Sequence, residues 1–226
     1  MANKTINLGG NDTERLFLED LEFDSADGEH VIVKKTSIPE IDMKDLVARH
    51  KGRYYLLGLH ARPGRRVLDF PCGSGYAANI LKEFDIVYHG MERDSLTIEY
   101  AKRVYDHKNA TFAVGDLQNP NLPNNSFDII GCIEGIEHIE RQFQSPLIGA
   151  FKEALKPGGI LIVSSPENPT GVSGPSVHNQ WHKWELTKKD FSNLLREHFD
   201  NVEMVTHKAV LSTGVLTTCF YGICHK

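Results

Sequence analysis

The stretch VLDFPCGSGY, Val67 to Tyr76, decides how the rest of the chain is read. Val67 and Leu68 are apolar and read as the end of a buried parallel strand, with Asp69 at its carboxyl end. Gly73, Ser74 and Gly75 make a turn too tight for Cβ atoms, and Tyr76 to Phe84 reads as the helix that follows. Strand, glycine turn and helix N-terminus together form a nucleotide-binding corner. With Ala78 the turn also satisfies G-x-G-x-x-A, a pattern that says little alone. The acid ahead of the turn changes the reading. Asp69 repels a pyrophosphate and attracts a ligand that carries a cationic amine.

The chain has 226 residues, enough for one domain with a sizeable core. It is 40% hydrophobic and 24% charged, as a globular protein is. A formal net charge of -5 offers no global basic field for nucleic acid. The four cysteines, Cys72, Cys132, Cys219 and Cys224, form no C-x-x-C pair. That argues against a zinc ribbon or redox motif and for reduced thiols in a cytoplasmic protein. The opening MANKTINLGG has no apolar h-region, and no stretch is long and apolar enough to span a bilayer, so no membrane insertion is expected. The chain shows no internal repeat.

Working outward, residues 1–40 read as an irregular arm or cap over the site, or as a disordered lead-in. Apolar residues from Ile41 to Leu59 suggest a helix broken at Gly52 and ended by Pro63 and Gly64. Strands are then expected at Ile86 to Met91, Ala110 to Val114, Phe127 to Ile133 and Ile160 to Ser164. Helices are expected at Ser95 to Asp106, capped by Ser95 or Asp94, and at Glu140 to Leu155, stopped by Lys156 to Gly159. This alternation means βαβ units in a parallel sheet with helices on both faces. Pro166 to Leu186 is a long loop rich in Pro, Gly, Ser and Asn, the kind that works as a substrate lid. Thr187 opens a helix, with Asp190 three residues on. Val202 to Thr206 and Val215 to Cys224 read as an antiparallel pair at the sheet edge.

The D-x-x-C-G-S-G-Y string resembles motif I of class I S-adenosylmethionine (SAM)-dependent methyltransferases. The resemblance covers Tyr54 to the C-terminus, and LKPGGILIVSSP strengthens it. It implies a Rossmann-like, seven-stranded, mainly parallel α/β sheet with an antiparallel C-terminal edge strand, over residues 41–226. The acids Asp69, Glu92 and Asp116 fall at successive strand ends. Each alone reads equally as an exposed loop carboxylate. In one crevice they suit the cofactor's amine, ribose hydroxyls and adenine amino group. By resemblance, Asp69, Gly73, Gly75, Glu92 and Asp116 hold SAM. Phe70, Arg93 and Leu117 flank those positions, and Ile133 joins them as a cofactor contact.

Just past the fourth strand lies EGIEHIE, Glu134 to Glu140. In a helical turn Glu134 shares a face with Glu137 and His138. Two carboxylates and an imidazole suit a divalent metal. The pattern resembles the E-x-x-E-H of small-RNA 3′-terminal 2′-O-methyltransferases and ubiquinone-pathway O-methyltransferases. Without a metal, Glu134 packs by the cofactor, Glu137 is a helix-start acid and His138 is a general base. The loop string SVHNQWHKWELT, Ser176 to Thr187, adds His178 and His182. HKWELT resembles H-K-F-E-W-T of the small-RNA enzymes, which makes His182 the last metal ligand. It also resembles N-P-F-H-V-x-E-F-T of bacterial methyltransferases associated with surface polysaccharides. Trp184 and Glu185 read as packing residues.

GNDTERL, Gly10 to Leu16, followed by RYYLLGLHARPGRRVLDFPCGSGY, resembles the layout of that polysaccharide-associated group. Asn11 stands where the group has His, and Ala77 replaces its last glycine. The expected function is O-methylation of a sugar or small polyol, with His138 as base and His178 as a further catalytic candidate. The acceptor is then a small molecule or glycan. The alternative is a metal-dependent enzyme acting on an RNA 3′ end through Glu134, Glu137, His138 and His182; the acidic balance disfavours nucleic acid. A cofactor-binding subunit without catalysis is disfavoured by the intact E-x-x-E-H.

Overall fold

The apolar run that ends at Asp69 becomes a central strand. The computed structural model describes residues 4–10, 15–39, 41–210 and 216–226; Asn11 and the rest of N-D-T-E lie outside the described residues. In chain order it contains β1 (Thr5–Gly9), β2 (Leu21–Asp24), β3 (His30–Lys34), α1 (Met43–His60), β4 (Arg66–Asp69) and α2 (Ala77–Leu81). A 3₁₀ turn at Lys82–Phe84 leads to β5 (Val87–Glu92), α3 (Ser95–Val104), β6 (Ala110–Val114) and β7 (Phe127–Cys132). A second 3₁₀ turn, Ile136–His138, precedes α4 (Arg141–Ala154), β8 (Leu155–Pro166), α5 (Lys188–Arg196), β9 (Asn201–Val210) and β10 (Leu216–His225).

The main sheet has seven strands in the order β6-β5-β4-β7-β8-β10-β9. β6 to β8 run parallel, and β10 is antiparallel to both β8 and β9. This is the expected Rossmann-like sheet, with the C-terminal strand inserted one place in from the edge. β7 is buried along its whole length, which explains its run of uncharged residues from Ile129 to Cys132. Asp128, buried in the same strand, accepts from Arg65 Nη1 at 2.6 Å and Lys156 Nζ at 2.8 Å. Tyr88 and Tyr100 fill one face of the sheet, and Phe151 and Phe191 the other. Strand order reverses between β4 and β7, so a crevice opens at their carboxyl ends.

Three expectations are corrected. The N-terminal residues are not irregular: β1, β3 and β2 form a separate three-stranded sheet. Val31 and Val33 alternate inward from its middle strand and are fully buried. α1 is not broken at Gly52, which lies exposed within an uninterrupted helix capped by the Asp42 carboxylate on the Lys44 N–H. There it costs at most about 1 kcal/mol, too little to interrupt the helix. The Lys156 to Gly159 string does not separate helix from strand but belongs to β8, where Gly158 takes φ +74°.

Candidate active site

A cavity of about 490 Å³ lies at this crevice. Seven of the expected cofactor residues line it: Phe70, Gly73, Glu92, Arg93, Asp116, Leu117 and Ile133. Gly73 has φ +52°, and a Cβ placed on it meets nothing within 4 Å. The turn therefore leaves room for a ligand to approach its backbone. Glu92 Oε1 accepts from Arg15 Nη2 at 2.8 Å and from the N–H groups of Arg93 at 2.9 Å and Asp94 at 3.3 Å. Asp116 accepts from the Gln118 N–H at 2.9 Å, which fixes its loop.

Asp69 and Gly75 are not on the cavity wall. Asp69 is fully buried; the Tyr88 hydroxyl donates to Oδ2 at 2.6 Å and the Tyr54 hydroxyl to Oδ1 at 3.5 Å. Burial pushes its pKa up to about 7, against the opposing effect of the two hydroxyls. The carboxyl expected to meet an amine is thus enclosed with the Tyr54 and Tyr88 hydroxyls instead of lining the wall. Gly75, at φ +87°, would put a Cβ 2.7 Å from Ala101 Cβ and 2.8 Å from Phe112 Cε1. It is a glycine because α3 and β6 pack against it, not because a ligand does.

Arg15 and Leu16 roof the cavity. Ser74 Oγ donates to the Leu16 carbonyl at 2.6 Å, and Leu16 and Phe17 are buried, so this strap is fastened to the glycine turn. In the sequence, nothing marks Arg15 within GNDTERL as a cavity residue.

The other half of the wall comes from α1 and from the segment after β7. His50 and Arg53, three residues apart on α1, face the cavity with Tyr54. The apolar stripe of α1 singles out neither of them. His50 Nδ1 lies 2.9 Å from the Tyr76 hydroxyl; burial, then the Arg53 charge, lowers its pKa to about 3 and keeps the ring neutral.

Glu134 departs from its expected place. Its φ is +50°, so it leaves β7 in a left-handed conformation instead of starting a helical turn. Its Oε2 pairs with Arg53 Nη2 at 3.2 Å, and Oε1 accepts from Ser164 Oγ at 2.7 Å and Cys219 Sγ at 3.0 Å. Burial pushes the carboxyl up, but Arg53, Cys219 and Ser164 outweigh it and hold the pKa below the usual range. Glu134 is thus held away from the metal set.

Glu137, His138 and His182 do come together, with ligating atoms within 4.8 Å of one another. Glu137 is fully buried and neither carboxylate oxygen has a hydrogen-bond partner. Burial, then the Glu134 charge, pushes its pKa well up. Such a carboxyl calls for a proton or a cation. Gln144 Nε2 holds the segment in place, donating to the carbonyls of Ile136 and Trp184, each at 3.0 Å. His178 is exposed and off the cavity wall, so the structure does not bring it together with His138. Trp184 packs on the core as expected, with Arg141 5.4 Å above its ring. Glu185 does not merely pack: its Oε1 lies 2.6 Å from His182 Nδ1.

The model of a family described as a methyltransferase domain matches residues 42–203. The chain belongs to that methyltransferase-domain family. A probable SAM-dependent methyltransferase of Mycolicibacterium smegmatis is 30% identical over 148 residues, 65% of this chain and 56% of that protein. An O-methyltransferase of Pyrenophora dematioidea is 28% identical over 130 residues, 55% of this chain and 48% of that one. The chain thus spans about half the length of these relatives. The crystal structure of a SAM-dependent methyltransferase from Mesorhizobium loti superposes with a TM-score of 0.61 at 16% identity, covering 73% of this chain and 92% of that one, which shows the fold. For a methyltransferase domain the cavity divides naturally. The open turn at Gly73, with Glu92 and Asp116, fits SAM. The α1 face, Glu134 and His138 line the rest of the wall. No described helix is long and apolar enough to cross a membrane.

Proposed function

We propose that this methyltransferase domain O-methylates a hydroxyl of a sugar or other small polyol. SAM supplies an electrophilic methyl group on a sulfonium. Gly73, Glu92 and Asp116 hold the cofactor, and the acceptor lies against His138, Trp181 and Lys183. The observation that carries the reading is His138 on the cavity wall, with Nδ1 3.3 Å from the Trp181 carbonyl. A carbonyl only accepts, so Nδ1 keeps its proton and Nε2 is the nitrogen that takes one from the acceptor. The domain otherwise contributes proximity and alignment. Trp181, half exposed beside His138, offers a ring for a sugar face. The likeness of GNDTERL and of the glycine turn to the polysaccharide-associated group supports the same class. Buried, free Cys72, Cys132, Cys219 and Cys224 suit a cytoplasmic site of action.

The second reading, a metal-dependent 2′-O-methyltransferase at an RNA 3′ end, is favoured by one observation: the unpartnered Glu137 carboxylate beside His138 and His182. The donor set, one carboxylate and two imidazoles, suits a first-row transition ion better than magnesium. Such an ion lowers the pKa of a bound hydroxyl. Against RNA stand the net charge of -5 and the pairing of two wall cations, Arg15 with Glu92 and Arg53 with Glu134.

A labelled-SAM assay on nucleotide-activated or lipid-linked sugars and on short RNAs separates the readings. Label in the sugar pool is expected. Label in RNA that is lost when periodate first destroys the 3′ diol makes the second reading right.

A further inference from the structure

His182 is held from both sides. Nδ1 lies 2.6 Å from Glu185 Oε1, and Nε2 lies 3.0 Å from Asn179 Nδ2. These partners assign the tautomer. A carboxylate only accepts, so Nδ1 carries the proton; an amide nitrogen only donates, so Nε2 presents its lone pair. The Asn179 amide is itself oriented, because its Oδ1 accepts the Trp181 N–H at 2.9 Å. Both ends of the ring therefore agree.

Glu185 is well placed for this task. Its backbone is bridged to Gly174 in both directions, at 2.8 and 2.9 Å, which fixes where the side chain starts. The side chain is only 5% exposed, and Oε2 is buried without a partner. A carboxylate is seldom buried so deeply to fill space. His138 repeats the arrangement, with its Nδ1–H directed to the Trp181 carbonyl at 3.3 Å. The two rings stand perpendicular, centroids 4.9 Å apart. An imidazole that donates one N–H to a fixed acceptor is in the form a cation requires.

We propose that Glu185 is a positioning residue that fixes His182 as the Nδ1–H tautomer, so that the Nε2 lone pair, which accepts from the Asn179 amide in the metal-free protein, is the one a divalent transition ion held with Glu137 and His138 takes over from that amide. Glu134, paired with Arg53, is outside that site. The cation part rests on the second reading above, whereas the tautomer part stands without it.

The test uses the whole protein with histidine-labelled ¹⁵N. Long-range ¹H–¹⁵N spectra of the metal-free protein at neutral pH report the His182 tautomer, and a Co²⁺ titration followed by visible absorption reports the site. Wild type should show Nδ1–H. Glu185→Gln preserves shape but lets an amide N–H donate to Nδ1, so the Nε2–H form should appear, as when an orienting carboxylate becomes an amide in a triad. Co²⁺ affinity should fall about 10–100-fold, the usual size for such an outer partner, with affinity for S-adenosylhomocysteine unchanged. A wild-type His182 already in the Nε2–H form overturns the proposal with no variant needed. So does an unaltered tautomer and Co²⁺ affinity in Glu185→Gln. A tautomer switch in a protein that binds no Co²⁺ upholds the role of Glu185 and retires the metal reading.

Discussion

The Tyr88 hydroxyl donates to Asp69 Oδ2 at 2.6 Å, and neither residue lines the cavity. The strand-end acid therefore acts as a buried strut, with a pKa pushed up to about 7 by burial. In the unfolded chain an aspartate titrates near about 3.9. Between those values the folded protein holds a proton that the unfolded chain lacks. Asp69 thus adds a stabilising contribution that is fully present below about pH 4 and lost as pH rises through about 7. The slope reaches about 1.4 kcal/mol per pH unit. Asp69→Asn should remove this part of the decline, seen by urea unfolding across pH 4 to 8 (roughly that window). A variant whose profile runs parallel to wild type contradicts the assignment.

The two acids should differ toward the cofactor. Glu92 lines the cavity, whereas Asp69 does not. Glu92→Ala should cost about 1.5–3 kcal/mol of S-adenosylhomocysteine affinity, the size of a charged hydrogen bond. Asp69→Asn, which keeps the Tyr88 contact, should cost less. Calorimetry that ranks them the other way would place the amine on Asp69 after all.

Much of this was legible in the chain, for physical reasons. Period and punctuation placed β4 to β8, because buried parallel strands are continuous apolar runs. The strand-end positions of Glu92 and Asp116 followed from that topology. The role of Asp69 did not, because its distant partners Tyr54 and Tyr88 decide which way it points. Glu134 and Glu137 have the spacing of a shared helical face, but φ +50° at Glu134 breaks that face. Glu185 looked like packing because its partner is set by loop geometry, which no periodicity encodes. His50 and Arg53 were hidden in an amphipathic pattern whose inward face is partly polar.

Arg53 and Glu134 form a pair whose side chains are only 21% and 22% exposed. Arg53→Ala leaves Glu134 without its cation and should destabilise the fold by about 3 kcal/mol. Glu134→Gln in the same background should recover part of that loss, since the uncompensated charge is gone. A double-mutant cycle by chemical denaturation measures the coupling. Strictly additive effects would mean that the pair is not energetically joined.

The metal reading makes a residue-specific demand. Glu137→Ala and His182→Ala should each abolish Co²⁺ binding. Glu134→Gln should leave it nearly intact, because Glu134 is engaged by Arg53, Ser164 and Cys219. Metal loss in Glu134→Gln equal to that in Glu137→Ala would restore the four-ligand set. Full methyl transfer in excess chelator would leave His138 as a base acting alone.

The last prediction concerns the loop from Pro166 to Leu186. Its two ends are tied by bridges between Glu167 and Leu186 and between Gly174 and Glu185. The N–H groups of Lys183 and Trp184 both donate to the Glu137 carbonyl, at 2.8 and 3.2 Å, so this end is fastened to the candidate site. Between these anchors, Val177 is 59% exposed, Trp181 is 50% exposed, and His178 faces solvent. A segment with so little apolar burial opens at small cost, as lids do. Amide exchange in the free protein should therefore be fast across residues 175–178 and slow at 183–186. Trp181 belongs to the cavity wall, so a bound acceptor that covers its ring should slow exchange in the first segment and leave the second unchanged. Uniformly slow exchange across the whole loop without ligand would exclude a lid. Fast exchange at 183–186 would show that the contacts to Glu137 do not hold this side of the cavity in place.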